Sequence, residues 1–192
     1  MTCIIGYVDG TSNVYLGADT CITRGGYYTT RKASKLSVHG DIVIGWSGAV
    51  RQTDILQHAF VPPERATTRS IEAYIKVDVM EAFRSTLATY GYTSDNDSDT
   101  NSIYCLLCYQ GTLWEITEWY EAYPIPIGEY AATGSGNMYA LAALEHVKGK
   151  PVYKIKMALH TAAKLCPSVD APFDVWRISR QGTIDILERS EV

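Results

Sequence analysis

The residue whose chemistry the sequence singles out first is a threonine at position 2. A strand-like segment begins at Cys3, directly behind Met1 and Thr2, in the opening residues MTCIIGYVDG. If Met1 is removed, Thr2 carries a free α-amine next to its own hydroxyl. These two groups form a nucleophile and a base within one residue. The start of the sequence therefore indicates covalent catalysis by an N-terminal threonine.

The composition predicts one globular domain, residues 1–192. The chain is 46% hydrophobic and 20% charged, which suits one buried core and is short for two. The net charge is −4 and the largest basic cluster is Arg31, Lys32 and Lys35, so nucleic acid is not expected as a partner. No apolar run is long enough for a bilayer, and the early first strand leaves no room for a leader segment. We expect a soluble cytoplasmic protein with no membrane partner.

Five cysteines are scattered through apolar sequence: Cys3, Cys21, Cys105, Cys108 and Cys166. An odd number of this kind fits reduced thiols in a cytosol better than a disulfide framework. Cys105 and Cys108 form a C-x-x-C pattern, but no second pair and no histidine cluster at metal spacing accompanies it. We therefore expect buried apolar thiols rather than a zinc site, and neither a metal nor an organic cofactor.

The order of predicted elements indicates the fold class. Short β-rich segments with turn residues between them fill the first 48 residues. A helical segment at about 50–60 follows, and then a second one with an apolar residue at every fourth position: Ile71, Ile75, Val79, Phe83 and Leu87. The polar segment 93–102 predicts an exposed, mobile loop.

The second half of the chain repeats this order. The patterns predict strands over Ile103–Tyr109, Thr112–Trp119 and Glu129–Thr133, and helices at about 137–147 and 152–165. A closing hairpin turns at Gln181 and Gly182. Antiparallel sheets with helices in pairs predict an α+β fold with four layers, an αββα sandwich.

Four short motifs follow Thr2 in a specific order: LGADT from residue 16, RKASKL from residue 31, GWSGAV from residue 45 and ATGSGNMYALAALE from residue 132. In this order and spacing the chain resembles the proteasome β-type subunits and HslV peptidases, from Thr2 to about Ile186. These proteins are N-terminal nucleophile (Ntn) hydrolases. The resemblance implies the Ntn-hydrolase type of αββα sandwich and a threonine-type endopeptidase.

The resemblance also implies roles for five residues. Thr2 is the nucleophile, and Asp19 fixes Lys35 beside it. Gly48 supplies the backbone N–H of an oxyanion hole, and Ser135 forms a hydrogen bond near the threonine amine. A cationic Lys35 favours the neutral amine, which is the form that accepts the hydroxyl proton.

A substrate pocket and an assembly follow from the same resemblance. Ile22, Thr23, Trp46 and Val50 correspond to substrate-binding positions, and the apolar ones predict cleavage after hydrophobic or small apolar residues. The family forms rings of identical subunits that enclose the active sites and admit unfolded polypeptides or peptides. The resemblance also allows an unfoldase partner, whose identity the sequence does not give.

One loop departs from the proteasome pattern, LCPSVDAPFDV from residue 165. Proteasome subunits usually place an aspartate and a serine from this loop near the nucleophile. Counting back from FDVWRI puts the aspartate position on Cys166 and the serine position on Val169. Ser168 and Asp170 are close to these positions but do not coincide with them. The loop is more similar to that of HslV, which also has a cysteine there and can hold a cation through backbone carbonyls. The sequence does not decide whether a cation binds this loop.

Taken alone, each residue also fits an ordinary structural role. Asp19 can end a strand, Lys35 can be a solvated lysine, and the GSG before a helix can start that helix; a dinucleotide-binding pattern needs glycine where the chain has Tyr139. A serine hydrolase lacks its G-x-S-x-G motif here, and a zinc hydrolase lacks H-E-x-x-H. The remaining alternative is a non-catalytic scaffold subunit of the same fold that retains Met1.

Overall fold

Two five-stranded antiparallel sheets form the middle of the protein in a computed structural model, which describes residues 2–24, 27–30, 33–92 and 103–190. The polar segment 93–102 lies outside the described residues. The strands before the first helix are β1 (Ile4–Val8), β2 (Val14–Asp19), β3 (Cys21–Arg24), β4 (Tyr27–Thr30), β5 (Leu36–His39) and β6 (Ile42–Gly48). The later strands are β7 (Ile103–Tyr109), β8 (Thr112–Ile116), β9 (Ala122–Ile125), β10 (Tyr130–Thr133), β11 (Phe173–Ile178) and β12 (Ile184–Ser190).

The first sheet has the strand order β10-β1-β2-β11-β12, and the second has the order β5-β6-β7-β8-β9. Strands β3 and β4 pair with each other. In the first sheet β1 is paired on both sides, because Ile4 lies opposite Thr133 on β10 and opposite Ala18 on β2. The start of the chain is therefore held inside a sheet rather than at its edge.

Helices cover the outer face of each sheet. The second sheet packs against α1 (Val50–Ala59) and a long helix that begins as α2 (Ile71–Ala73), passes through a π-helical stretch and ends as α3 (Met80–Thr89). The Ser70 side chain caps this helix by accepting a hydrogen bond from the Ala73 N–H. The first sheet packs against α4 (Asn137–His146) and α5 (Pro151–Leu165).

The inner faces of the two sheets meet in a layer of buried apolar side chains that includes Ile4, Leu16 and Leu106. Two glycines allow the sheets to approach closely. A β-carbon on Gly6 would collide with Leu113, and one on Gly45 would collide with Ile4. Side chains along β1 alternate between this layer and the helices, since Ile4 belongs to the inner layer and Ile5 to the core under α4 and α5.

The layers confirm the predicted αββα sandwich, and all four predicted helical segments are present within a few residues of their predicted bounds. Strand β8 ends at Ile116 rather than Trp119, because a turn closes with Tyr120 N–H donating to the Thr117 carbonyl. Strand β9 was not predicted. It contains Pro124, which fits its place at the edge of the second sheet.

The C-x-x-C pair lies on β7 with its two thiols on opposite faces. Cys105 is buried towards α1 and α3, and Cys108 is buried between the sheets. The two sulfur atoms therefore do not converge on one point. Within the described ranges, no helix is both long and apolar enough to cross a membrane.

Candidate active site

Thr2 lies just before the start of β1 and is held there by the turn that leads into α4. Its backbone nitrogen donates to Ser135 Oγ at 3.2 Å, and its carbonyl accepts a hydrogen bond of 3.1 Å from the Gly136 N–H. Gly134 has a φ of +92°, and a β-carbon there would lie inside contact distance of the Thr2 carbonyl. Only glycine allows this approach. Thr2 is 5% exposed, and the hydrogen bonds on both sides of it hold its backbone in place.

Asp19 and Lys35 form a buried ion pair next to Thr2. Lys35 Nζ donates to Asp19 Oδ1 at 2.8 Å and to the Cys21 carbonyl at 2.6 Å. The same Asp19 oxygen accepts a 2.8 Å hydrogen bond from the backbone N–H of Cys3, the residue directly after Thr2. Asp19 therefore links Lys35 to the start of β1 through one carboxylate oxygen.

The charges of this pair are set by burial and by hydrogen bonds. Burial raises the pKa of the Asp19 carboxyl, while Lys35 and the N–H groups of Cys3 and Cys21 act in the opposite direction. Burial also lowers the pKa of the Lys35 ammonium, against the attraction of Asp19. Asp19 accepts hydrogen bonds from three donors, and an ionised carboxylate, which only accepts, suits that arrangement.

A small cleft opens beside Thr2 and Lys35. Gly48 at the end of β6 forms part of its wall. Its φ of +124° is a backbone conformation that residues with a side chain rarely adopt. Gly48 also lines a second cleft, together with Tyr104, Ser135 and Asn137. The backbone at Gly48 thus borders two open spaces, one of which it shares with Thr2.

A short hydrogen-bond chain continues from Thr2 into the loop after α5. Ser135 Oγ contacts Ser168 Oγ at 2.9 Å, and Ser168 Oγ contacts Cys166 Sγ at 3.2 Å. Val169 is buried among apolar residues, and Asp170 is exposed. Counting along the sequence placed the serine position of this loop on Val169, but the hydroxyl that reaches Ser135 belongs to Ser168.

Cys166 differs from the other cysteines in its environment. Burial raises its pKa, but hydrogen bonds from Ser168 and Ser135 outweigh that effect, and the pKa of the thiol lies below its ordinary value. It is 8% exposed, whereas the other four thiols are fully buried and burial raises their pKa values. Those four are Cys3, Cys21, Cys105 and Cys108.

Cys166 is therefore expected to react first with iodoacetamide, since the thiolate is the nucleophile. Peptide mapping after brief alkylation at neutral pH should find most of the label on Cys166. The increase of its labelling rate with pH should begin at a lower pH than the increase for each of the other four thiols. The Cys166→Ser variant is the control and should lose only the fast phase. A fast phase on Cys21 or Cys3 would contradict this assignment.

The structure places three of the four predicted substrate-binding residues, Ile22, Trp46 and Val50, around the cleft beside Thr2. Thr23 lies on β3, opposite Tyr28 on β4, and its side chain is outside the described part of the structure. The cleft lining thus groups Thr2, Lys35 and Gly48 with these apolar residues. Asp19 contacts Lys35 and Ser135 contacts Thr2, and neither of these two residues lines the cleft.

Sequence reasoning missed the polar residues of the cleft. Thr53, Asp54 and Gln57 line it together with Val50. All four lie on α1 at positions i, i+3, i+4 and i+7, which is the spacing of one helix face. That spacing was visible in the sequence once Val50 had been assigned to the pocket.

Comparison with solved structures identifies the fold. The BPH protein of Thiobacillus denitrificans superposes with a TM-score of 0.74 at 18% sequence identity, covering 99% of this chain and 100% of that one. The same BPH in complex with epoxomicin gives 0.72 at 17% identity, covering 97% and 99%. Eukaryotic HslV from Trypanosoma brucei gives 0.63 at 20% identity, covering 91% and 98%.

No protein-family model matches the sequence, and no curated protein matches it. The similarity is therefore one of structure over nearly the whole chain. It confirms the proteasome β-type or HslV-like fold that the motifs predicted.

Proposed function

We propose that this chain is a threonine peptidase that hydrolyses peptide bonds with Thr2 as nucleophile after Met1 has been removed. One observation carries the proposal. Lys35 and Thr2 line the same cleft, and one oxygen of the buried Asp19 holds both the Lys35 ammonium and the N–H of the residue after Thr2. If Lys35 were only a solvated surface lysine, nothing would require a buried carboxylate oxygen that binds both its ammonium and the N–H of the residue after Thr2.

The proposed reaction uses groups of Thr2 itself. With Met1 removed, the Thr2 nitrogen is an α-amine at the place where it now contacts Ser135. A positive charge on Lys35 lowers the pKa of that amine, so that more of it is neutral at pH 7. The amine takes the hydroxyl proton, directly or through a water, while Oγ attacks the carbonyl carbon of the substrate. The protonated amine then gives this proton to the nitrogen of the scissile bond, the C–N bond breaks, and the C-terminal fragment leaves as an amine. The resulting ester is hydrolysed by a water that the same amine activates.

Two further groups support this chemistry. The Gly48 N–H meets the oxyanion that develops on the substrate carbonyl, and such a donor lowers the barrier by roughly 3 kcal/mol. Ser135 orients the amine, and Ser168 holds Ser135 from the other side through their 2.9 Å contact. No step needs a metal or an organic cofactor.

The proposal extends to the assembly. We place this peptidase, as one domain over residues 1–192, in a self-compartmentalised homo-oligomer of ring form that acts on unfolded polypeptides or peptides in the cytoplasm. Large apolar side chains at the surface of α4 and α5 support self-association, among them Met138 at 71% and Tyr153 at 53% exposure. An unfoldase that feeds such a ring is compatible with this arrangement.

The function is tested by intact-mass measurement of protein from its native host, before and after treatment with an epoxyketone such as epoxomicin. We expect a mass without Met1 and the addition of one inhibitor per chain, because the epoxyketone forms a ring with both the hydroxyl and the amine of an N-terminal threonine. Epoxomicin is the compound bound in the solved Thiobacillus denitrificans BPH complex.

The Thr2→Ala variant is the matched control and should remain unlabelled. A native protein that keeps Met1 quantitatively and never takes the label would overturn the peptidase proposal. The chain would then be the scaffold subunit of the same fold.

A further inference from the structure

The second cleft beside Gly48 differs in chemistry from the cleft beside Thr2. Most of the residues that line it have polar side chains: Ser47, Tyr104, Thr133, Ser135 and Asn137. Its described lining contains no purely hydrocarbon side chain larger than the methyl group of Ala49. The second cleft is therefore suited to water or to polar groups rather than to an apolar side chain.

Two of its hydroxyl groups come from different sheets. Ser47 lies on β6 and Thr133 on β10. Ser47 is four residues after Val43 of the inner layer, and Thr133 is two residues after Ala131 of that layer. Side chains an even number of residues apart in a strand share a face. The two hydroxyls thus enter the cleft from the facing sides of the two sheets.

Neither hydroxyl is used within the protein. Ser47 and Thr133 are each 4% exposed. Among the residues that the structure describes, neither side-chain oxygen takes part in a hydrogen bond. A buried hydroxyl without a partner is unfavourable, so such groups are normally satisfied by a water or a ligand. Both side chains are therefore available to a molecule in the second cleft.

Ser47 lies close to the backbone of Thr2. A β-carbon on Gly134 would lie 2.9 Å from Ser47 Oγ and inside contact distance of the Thr2 carbonyl, so both oxygens approach the same point. Ser135, which also lines the second cleft, accepts the 3.2 Å hydrogen bond from the Thr2 nitrogen. The second cleft is thus next to the nitrogen that acts as the base in the proposed reaction.

The proposed reaction needs a place for water once the first product has left. In the ester intermediate the N-terminal fragment stays bound to Thr2 Oγ, and its side chain occupies the apolar cleft. The hydrolytic water takes the position of the departed amine, because hydrolysis of the ester is the reverse of its formation with water in place of the amine. Since the apolar cleft remains occupied, this water approaches from the second cleft.

We propose that Ser47 and Thr133 hold the water that hydrolyses the ester on Thr2. This inference rests on the proposed function and names two further residues of the same site. A buried water forms about three hydrogen bonds, and the two hydroxyls together with the neutral Thr2 amine supply that number of partners.

The two hydroxyls orient the water and exchange no proton with it. The Thr2 amine takes one proton from the water while the water oxygen attacks the ester carbonyl carbon. The bond between that carbon and Thr2 Oγ then breaks, Oγ takes the proton back from the amine, and the N-terminal fragment leaves as a carboxylic acid. The enzyme returns to its starting form.

The test uses a p-nitrophenyl ester of a short peptide that ends in leucine. Its leaving group needs no proton, so the ester on Thr2 forms quickly and its hydrolysis limits kcat. In the Ser47→Ala variant kcat should fall about 10- to 100-fold, the scale of a misplaced reacting group, and KM should fall by the same factor. The ratio kcat/KM covers only the steps up to formation of the ester, so it should change by less than about 3-fold.

The lifetime of the acylated chain is measured directly by intact mass after the substrate has been diluted out. It should be about 10- to 100-fold longer in Ser47→Ala than in the parent protein. Thr133→Val keeps the shape and removes the hydroxyl, so it should lengthen the lifetime as well, whereas Thr133→Ser should not. Thr86→Val is the matched control, because the Thr86 hydroxyl donates to the Ala82 carbonyl on α3, which lines neither cleft.

The outcomes separate this inference from the proposed function. A parent-like lifetime in Ser47→Ala or in Thr133→Val would overturn the role of that residue and leave the peptidase standing. A lower kcat/KM with an unchanged lifetime would do the same, because it would assign the hydroxyl to binding of the substrate or to formation of the ester. A protein that forms no acylated chain with the ester and takes no epoxyketone would overturn both proposals.

Discussion

Replacing Thr2 with alanine is expected to lower peptide hydrolysis by at least about a thousand-fold, which is the scale of losing a nucleophile. The fold should tolerate the change well. The hydrogen bonds that hold Thr2 involve its backbone nitrogen and carbonyl, which alanine retains. The unfolding midpoint in urea should therefore shift little. The kcat with a fluorogenic peptide substrate should fall to the level of the uncatalysed background.

Thr2→Ser is the matched variant for this experiment. Serine keeps the hydroxyl and the neighbouring amine and loses only the methyl group, so measurable hydrolysis should remain. Full turnover by purified Thr2→Ala protein would remove this residue from the mechanism. If Thr2→Ser and Thr2→Ala lose activity equally, with unchanged stability, the hydroxyl is not the group at this position that hydrolysis depends on.

Replacing Lys35 with alanine is expected to abolish hydrolysis and also to destabilise the protein. The sequence predicted that Asp19 holds Lys35 beside Thr2, and the structure buries Asp19 at 0% exposure. Removing one member of a buried ion pair leaves the other charge without compensation, which costs about 3–5 kcal/mol. The free energy of unfolding, measured by urea denaturation, should fall by an amount of this order.

A double variant separates the two effects. Lys35→Met with Asp19→Asn removes both charges and keeps much of the volume, so a large part of the stability should return while activity stays absent. Lys76→Ala is the matched control, because Lys76 pairs with Glu72 at 2.7 Å on an exposed helix face, where such a pair contributes about 0.5 kcal/mol or less. Hydrolysis by the double variant at the parent's rate would exclude Lys35 from the chemistry.

The sequence predicted elements where one physical signal dominated. The repeat of Ile71, Ile75 and Phe83 marked a helix because those side chains must share a buried face. Strand β9 gave no such signal. It is four residues long, contains Pro124, and is defined by pairing with β8 rather than by its own pattern. Pairing partners are distant in sequence, so a short edge strand is not visible in a single chain.

The candidate site was predictable only where motifs marked it. Asp19, Lys35 and Ser135 stand in short motifs with a fixed order. In the structure Ser135 contacts Thr2, Asp19 contacts the next residue, and Lys35 contacts Asp19. Counting put the family's serine position on Val169 because it assumes an unchanged backbone path along the loop, whereas the hydroxyl that contacts Ser135 belongs to Ser168. Asp54 was missed because only its spacing from Val50 marks it, and whether that face of α1 lines the cleft depends on how α1 packs against the end of β6.

Because side chains along β1 alternate between the two faces of the sheet, the number of residues between Thr2 and Ile4 matters. Cys3 and Ile5 face α4 and α5, while Ile4 faces the second sheet, the sheet to which Lys35 leads. Thr2 shares the parity of Ile4 and lies in the cleft with Lys35. Inserting or deleting a single residue between Thr2 and Ile4 would turn the threonine hydroxyl towards the helices, since each step along a strand reverses the side. A change of two residues would restore the side but would still displace the hydroxyl by about 6.6 Å. The number of residues before β1 therefore fixes both the side and the position of the Thr2 hydroxyl.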